Sequence, residues 1–530
     1  MSVRTRRFLN STVLLLAAGL VLGYFLGATE VAVQGAEPVS TKPGTSPAAV
    51  ESPAYPSRLE DSIAPNSPAA VAKDWERPYP QYQPLGTVLK PFPVVSLGGI
   101  VPQDLYRYGG AGKRDYVSLD DVANFDEFYR AMSAQKAKVM EQRRDYMAQR
   151  YDFTGKTTTA VTMSRSKPIP VGPVVRLPKG IGSWEELAAL APEEILRRDL
   201  LPEGFRPLSH PLHSVGHMLF PQMWTRVHPE TERFDVEFDI PEAYLPEFPP
   251  PLFLTTRPDL GDVSKGREIN LANFRELFEG IITPEQVEGL RHLVQPAPTT
   301  WFNYTKHRLT KEPVRGIACL DCHVNGHGNG AIVLDPGARP TLARSRLETP
   351  SLRGNNVNSL FSLRRSIRSL DHFSEVEEYF DGDISIQPQI GGRQVDRVST
   401  NRMGDFNSIV GFPPAPKLNR VGKLDPAKAN EQELRGEKLF FGRAQCGTCH
   451  PAPYYIDNTM HDLRVEEFYP GRAEGWSKTF SLRGIKDSPP YFHDGRLPTL
   501  EDTVEFFNLI LQTRLSQQDK QDLVAFMRCL

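Results

Sequence analysis

Two short segments contain the residue types that can bind a metal cofactor covalently. They are Cys319-Leu320-Asp321-Cys322-His323 and Cys446-Gly447-Thr448-Cys449-His450. Two thiols three positions apart on one helical turn can add to the two vinyl groups of a single haem. The adjacent histidine then lies under the iron. Its ring binds iron through one nitrogen, and the other nitrogen needs a carbonyl or carboxylate partner to fix the ring. A zinc knuckle would need further Cys or His partners close by. His327 is the one such neighbour of the first motif, and the second motif has no equivalent. Both motifs therefore read as haem c attachment sites, with Cys319, Cys322, Cys446 and Cys449 as thioether donors and His323 and His450 as iron ligands. The fifth cysteine, Cys529, reads as a spare thiol in a terminal helix, so no disulfide framework is expected.

An internal repeat frames the motifs. Thr349-Pro350-Ser351-Leu352-Arg353-Gly354 recurs as Thr479-Phe480-Ser481-Leu482-Arg483-Gly484 at an offset of 130 residues. Continued without a gap, Asp371 meets Glu501 and Glu375 meets Glu505. The motif histidines are offset by 127, so one loop differs by three residues. The same register sets Pro489-Pro490-Tyr491-Phe492-His493-Asp494-Gly495-Arg496 against Ser359–Ser366, so His493 faces Leu363. An imidazole opposite an aliphatic chain suggests an asymmetric pair. The second haem would be closed by His493 and relay electrons. The first would be open to a small oxygen species. The bland alternative is that His493 only forms a hydrogen bond near a turn.

The elements that must position these groups are helical from Leu260 onward. Thr283 followed by Pro284 is a helix start, and Asn430 to Phe441 is a helix before the second motif. The expected architecture is mainly α. It has two tandem cytochrome c-like haem domains, 259–425 and 426–530, behind a Pro-rich N-terminal extension, 76–258, with few strands. Within the extension, Val122 to Tyr151 and Trp184 to Arg198 read as helices, the latter opened by Ser183. Residues 30–75 are rich in Pro, Ser and Ala and read as a flexible tether. Arg4, Arg6 and Arg7 precede an uncharged stretch, Ser11 to Thr29, long enough to reach about 28 Å as a helix. Residues 1–29 are therefore a membrane anchor or a signal segment. Either sends the rest of the chain across the membrane, which implies a periplasmic protein held at the inner membrane if the segment is not cleaved.

Composition narrows the function. The 530 residues include 47 prolines and have a formal charge of −2, from 62 basic and 64 acidic side chains. No basic excess is available to meet phosphate, so a nucleic-acid partner is not expected.

Residues 260–530 resemble the bacterial di-haem cytochrome c peroxidase superfamily, which includes MauG-like enzymes. The likeness rests on both CxxCH motifs, Thr349–Gly354, Arg435-Gly436-Glu437-Lys438-Leu439-Phe440-Phe441, Pro490–Gly495 and the terminal Asp522–Met527. The resemblance implies two all-α haem domains, electrons from a small donor cytochrome or cupredoxin, and a small-molecule oxidant such as peroxide. It also implies a Ca2+ ion between the domains. Three departures stand out. Phe492 occupies the slot where the family often has a methionine ligand, and adjacent His493 is the substitute. The segment Leu360–Arg365 has Phe361 and no tryptophan. The acid expected over the reactive haem falls at Asp381 or Asp383, with the matching Gln slot near Phe373. His327 is the candidate distal histidine, although close to the first motif. The readings left open are a peroxidase-like oxidoreductase, a pure electron-transfer cytochrome, and an oxygenase acting on an organic substrate held by the extension.

Other groups could join the site. His210, His213 and His217 read as an ordinary loop that could bring one histidine to the first haem. Trp301, Phe302 and Tyr304 read as haem-packing residues, and His461 as a local hydrogen-bond partner.

Overall fold

Helices begin where a short polar side chain can accept an orphan backbone amide. The Gln286 amide donates to Thr283 Oγ1 at 3.3 Å, and the Thr283 amide donates back to Gln286 Oε1 at 3.0 Å. Asn430 and Glu433 form the same reciprocal box. Ser183 caps through the Glu186 amide at 3.1 Å. The helix expected from Trp184 to Arg198 is instead two. Trp184–Ala188 ends, Ala191 is extended, and Pro192–Arg197 starts anew. Pro192 has no amide to donate and suits only a first helical turn.

The computed structural model describes residues 134, 137, 141, 144–206, 208, 218–219, 221–229, 240–296, 299–301, 309–314, 318–334, 346–363, 365, 367–374, 396–462 and 476–530. These fall in one compact unit, residues 60–530. The Ser11–Thr29 segment, the 30–75 tether, the first part of the Val122–Tyr151 helix, His210, His213, His217, Phe302, Tyr304, Asp381 and Asp383 lie outside the described residues. Among the described residues, no helix is long and apolar enough to cross a membrane.

The described chain is helix-rich with short strands, as a mainly α reading requires. In order, the elements used below are β1 (Lys156–Thr162), β2 (Pro168–Val171), α1 (Trp184–Ala188), β3 (Met218–Leu219), α2 (Gln222–Val227), β4 (Phe253–Leu254), α3 (Pro284–Val294), α4 (Cys319–Cys322), β5 (Ile332–Leu334), β6 (Arg346–Glu348), α5 (Arg397–Ile409), β7 (Val410–Gly411), α6 (Glu431–Phe440), β8 (Met460–Asp462), β9 (Trp476–Lys478), α7 (Leu500–Ile510) and α8 (Gln517–Met527). Strands β1 and β2 form a hairpin, and β4 pairs with β7. Strand β3 from the extension adds to β5, which pairs with β6.

Backbone geometry repeats at the sequence offset of 130. Strand β6 recurs as β9. Gly354 (φ 74°) and Gly484 (φ 75°) both turn through the left-handed region before a short 3₁₀ turn. Phe361 bridges Ile367, and Tyr491 bridges Leu497. Within those tight loops, Ser362 and Phe492 both have φ 70°. The ungapped register that sets His493 against Leu363 is therefore also a backbone register.

Each repeat crosses two helices at a glycine. On Gly289 in α3, a Cβ would lie 1.9 Å from the Arg402 carbonyl oxygen of α5. On Gly436 in α6, a Cβ would lie 1.9 Å from the Asp522 carbonyl oxygen of α8. The helices approach backbone to backbone at both points, so neither neighbour can yield by a rotamer change. Gly289→Ala and Gly436→Ala should each destabilise the protein by about 1–3 kcal/mol, measured by urea unfolding. An alanine at either site that left the midpoint unchanged would show that the crossing is looser than described.

The apolar core falls into separate clusters. One joins α3, α5 and the first motif, through Leu290, Leu293, Leu320, Met403 and Phe406. Another unites the extension with the second repeat, through Tyr151, Leu187, Phe205, Phe440, Phe506 and Phe526. The extension precedes the first repeat in sequence but shares its core with the second.

Candidate functional site

The first motif is a single helical turn, α4, whose Asp321 carboxylate accepts the Ala318 amide at 2.9 Å. The turn sets Cys319 and Cys322 on one side and delivers His323 at its end. His323 Nδ1 lies 2.9 Å from the Pro350 carbonyl oxygen. A carbonyl can only accept, so Nδ1 has the proton and the Nε2 lone pair is left for a metal. Burial lowers the pKa of His323 to about 4, which keeps the ring neutral, as a ligand must be. Pro350 belongs to the repeated hexapeptide. One physical reason that hexapeptide accompanies CxxCH is that its carbonyl orients the histidine.

The second motif repeats this arrangement. Residues Cys446–Thr448 form a 3₁₀ turn, and His450 Nδ1 donates to the Tyr455 carbonyl at 2.8 Å. Burial lowers its pKa, opposed by hydrogen bonds to the carbonyls of Tyr455 and of Phe480, the counterpart of Pro350. Burial pushes the Cys446 thiol up to about 12, so in the protein without haem it is held protonated. Phe440 packs edge-on against Tyr455 and Phe526, with Phe441 beside them. At both motifs the donor set fits haem c: paired cysteines on a helical turn and an oriented, neutral imidazole.

The candidate distal residues separate. His327 is 2% exposed. Its Nε2 donates to the Asp487 carbonyl at 2.9 Å, and its Nδ1 accepts from Ser351 Oγ at 2.8 Å. Both nitrogens are thus committed to the protein, and burial holds the ring neutral. His327 is a bridge between the repeats, not a distal ligand. Phe492 turns into the core of the second repeat, with its ring 4.8 Å from Phe506 and nearly perpendicular to it. His493 is half-buried, and its carbonyl accepts the Glu348 amide of the first repeat at 2.7 Å. Leu363 does the same in reverse, accepting the Lys478 amide at 2.9 Å. Phe373, near the expected Gln slot, is half-buried. His461 behaves as a local partner, 2.6 Å from Asp457 Oδ2 and 2.7 Å from Thr459 Oγ1. Cys529 donates its thiol to the Ala525 carbonyl just beyond the last turn of α8.

The seam between the repeats has an approximate two-fold relation. Besides the reciprocal pair above, Asn458 Nδ2 donates to the Val357 carbonyl at 2.9 Å, and Val357 is the register partner of Asp487. Asn458 therefore plays the part of His327 across the seam, a relation hidden in sequence because their offset of 131 matches neither 130 nor 127 and the chemical types differ. Lys478, 4% exposed, donates its ammonium to Asn358 Oδ1 at 2.9 Å in this seam. Among the described residues, no three His, Cys, Asp or Glu side chains gather to hold a metal ion. Among the described residues, the Ca2+ implied by the resemblance finds no carboxylate cluster.

Two features escape sequence reasoning. The first is Asp487, where three parts of the chain meet. Its carboxylate accepts Arg353 from the first repeat at 3.2 Å and the Ser164 amide from the extension at 3.1 Å, while its carbonyl accepts His327. The repeated Leu-Arg-Gly was the available signal. Arg483, the partner of Arg353, instead donates to the Leu530 carbonyl. The second is a set of buried carboxylates that accept amides of the extension. Asp502 takes the Val174 and Val175 amides at 2.9 and 3.0 Å, and Asp494 of the His-Asp-Gly-Arg turn takes the Leu208 amide at 2.8 Å. No local pattern announces such contacts.

No family profile matches the chain. Over 173 residues it is 30% identical to the methylamine utilization protein MauG of Methylorubrum extorquens, covering 28% of this chain and 48% of that protein. Over 157 residues it is 27% identical to the cytochrome-c peroxidase IdrP1 of Denitromonas iodatirespirans, covering 20% of this chain and 42% of that protein. The chain thus spans about half the length, or less, of these two relatives. Among solved structures, a MauG-like protein associated with microbial copper homeostasis aligns with a TM-score of 0.35 at 17% identity, over 48% of this chain and 90% of that one. The resemblance to MauG and to di-haem cytochrome c peroxidases is borne out at low identity.

Proposed function

We propose that the chain is a periplasmic, peroxidase-like oxidoreductase with two tandem haem c domains. The haem on Cys319 and Cys322 reacts with peroxide or dioxygen, and the haem on Cys446 and Cys449 relays electrons from a small cytochrome or cupredoxin. The observation that carries this reading is the matched pair of histidines. His323 and His450 each donate Nδ1–H to a carbonyl, at 2.9 and 2.8 Å, and each keeps Nε2 for iron. Bound at these sites, the haems would supply one-electron chemistry and, at an open sixth position, reaction with a small oxygen species. The Pro350 and Tyr455 carbonyls fix the two rings and raise their basicity as ligands. The arginine-flanked apolar stretch at the N-terminus supports export.

The asymmetry rests on His493 opposite Leu363. His493→Ala should convert the second haem from low-spin to high-spin ferric iron in electron paramagnetic resonance, while Leu363→Ala leaves the spectrum as it was. The whole reading is tested on purified protein. A pyridine haemochrome assay should give two haems c per chain. The oxidised protein should show one high-spin and one low-spin centre, and it should consume peroxide with a reduced small redox protein. Exclusively low-spin iron that binds no carbon monoxide on reduction would reduce it to an electron carrier.

A further inference from the structure

The extension places one tryptophan against the first motif. Trp224 on α2 is fully buried and shares a small apolar cluster with Cys322, Val324 and Ala331. Phe248 meets its ring edge-on at 5.5 Å, at 86°. The His228 imidazole stacks on the indole, with centroids 4.2 Å apart and planes 29° apart. His228 Nε2 is bonded to the Glu268 carboxylate at 2.8 and 2.9 Å. From Cys322 outward, the order is indole, imidazole, carboxylate. The His228 and Glu268 side chains are 18% and 15% exposed, and Met223 and Val227 on the same helix are 37% and 53% exposed. An aromatic path therefore runs from the haem-bonding cysteine to the surface.

We propose that Trp224 is an electron relay between the surface at α2 and the haem attached at Cys322, a role supplied by the extension. The proposal rests on the reading of that haem as the one that reacts with peroxide. One electron leaves the indole for the oxidised haem centre, and one electron from a reductant outside the protein refills the indole. The indole keeps its N–H proton, so no bond forms or breaks. Oxidising equivalents come from peroxide, and the outside reductant ends one electron poorer per transfer. Two surroundings favour a transient positive charge on Trp224. The imidazole stacks on its face, and the Glu268 carboxylate stands one ring away in a site of low dielectric. This route reaches the first haem without passing through the second repeat.

The test uses ferric holoprotein mixed with hydrogen peroxide and frozen at short times for electron paramagnetic resonance. An organic radical should appear as the high-spin iron signal is consumed, and ring-deuterated tryptophan should narrow it. Trp224→Phe should abolish that radical while the high-spin signal is still consumed. Trp184→Phe is the control, since Trp184 packs on Phe205 in the other cluster, and it should leave the radical intact. If Trp224→Phe fails to fold, His228→Gln and Glu268→Gln should shorten the lifetime of the radical. A radical that survives in Trp224→Phe, or that decays at the same rate in both of the other variants, overturns the relay alone. High-spin iron that peroxide never consumes in the unaltered protein overturns the reactive-haem reading, and the relay with it.

Discussion

Replacing His323 with alanine is expected to bring peroxide turnover down to background, while the low-spin signal assigned to the second haem persists. Loss of an outer partner of a metal ligand typically costs about 10–100-fold, and loss of the ligand itself should exceed that. The geometry behind the expectation is the turn Cys319–Cys322 with His323 at its end, its ring locked by the Pro350 carbonyl at 2.9 Å. The haem should stay attached, because its thioether bonds do not depend on the imidazole. The matching substitution, His450→Ala, should spare the high-spin signal and instead stop electron delivery from a reduced donor protein. Steady-state turnover and electron paramagnetic resonance on both variants check the assignment. If His323→Ala still turned over peroxide at the original rate while His450→Ala did not, the roles of the two motifs would be exchanged.

The second large effect concerns stability. Asp487→Ala should destabilise the protein by about 3–5 kcal/mol, the usual cost of leaving a buried charge without its partner. Arg353 and Asp487 are 3% and 1% exposed, and their side chains meet at 3.2 Å. The substitution would also strip Ser164 of its acceptor and loosen the point where the extension, the first repeat and the second repeat meet. Arg353→Met combined with Asp487→Ala should recover part of the loss, because the stranded guanidinium is removed with its partner. Urea unfolding of the single and double variants measures this. An Asp487→Ala protein as stable as the original would mean that the junction is wet and the charge is not truly buried.

How much of this was legible beforehand depends on distance along the chain. The CxxCH turns could be read because attachment to one haem depends on a spacing of three residues, which is local covalent geometry. The helix starts at Thr283 and Asn430 could be read for the same reason, since a cap acts within one turn. The Ser183 cap marks where the 184–198 segment starts but acts within one turn, so it does not reveal that Pro192 begins a second helix. The ungapped register of the repeats was visible as Thr349–Gly354 against Thr479–Gly484, and it holds down to the paired φ of 70° at Ser362 and Phe492.

By itself, then, the sequence determined the two motifs, the repeat that relates them and the position of His493 opposite Leu363. Only the tertiary structure decided which carbonyl orients each histidine, that His327 bridges the repeats rather than facing iron, that Asp487 joins three parts of the chain, and that the extension sets Trp224 beside Cys322. Apart from His450 and Tyr455, five positions apart, these contacts join residues tens to hundreds of positions apart, between groups whose chemical types are unremarkable until folding brings them together. Gly289 and Gly436 show it most simply. Each is an ordinary glycine in a helical sequence, and only the backbone of the partner helix, 1.9 Å from where a Cβ would be, makes glycine necessary.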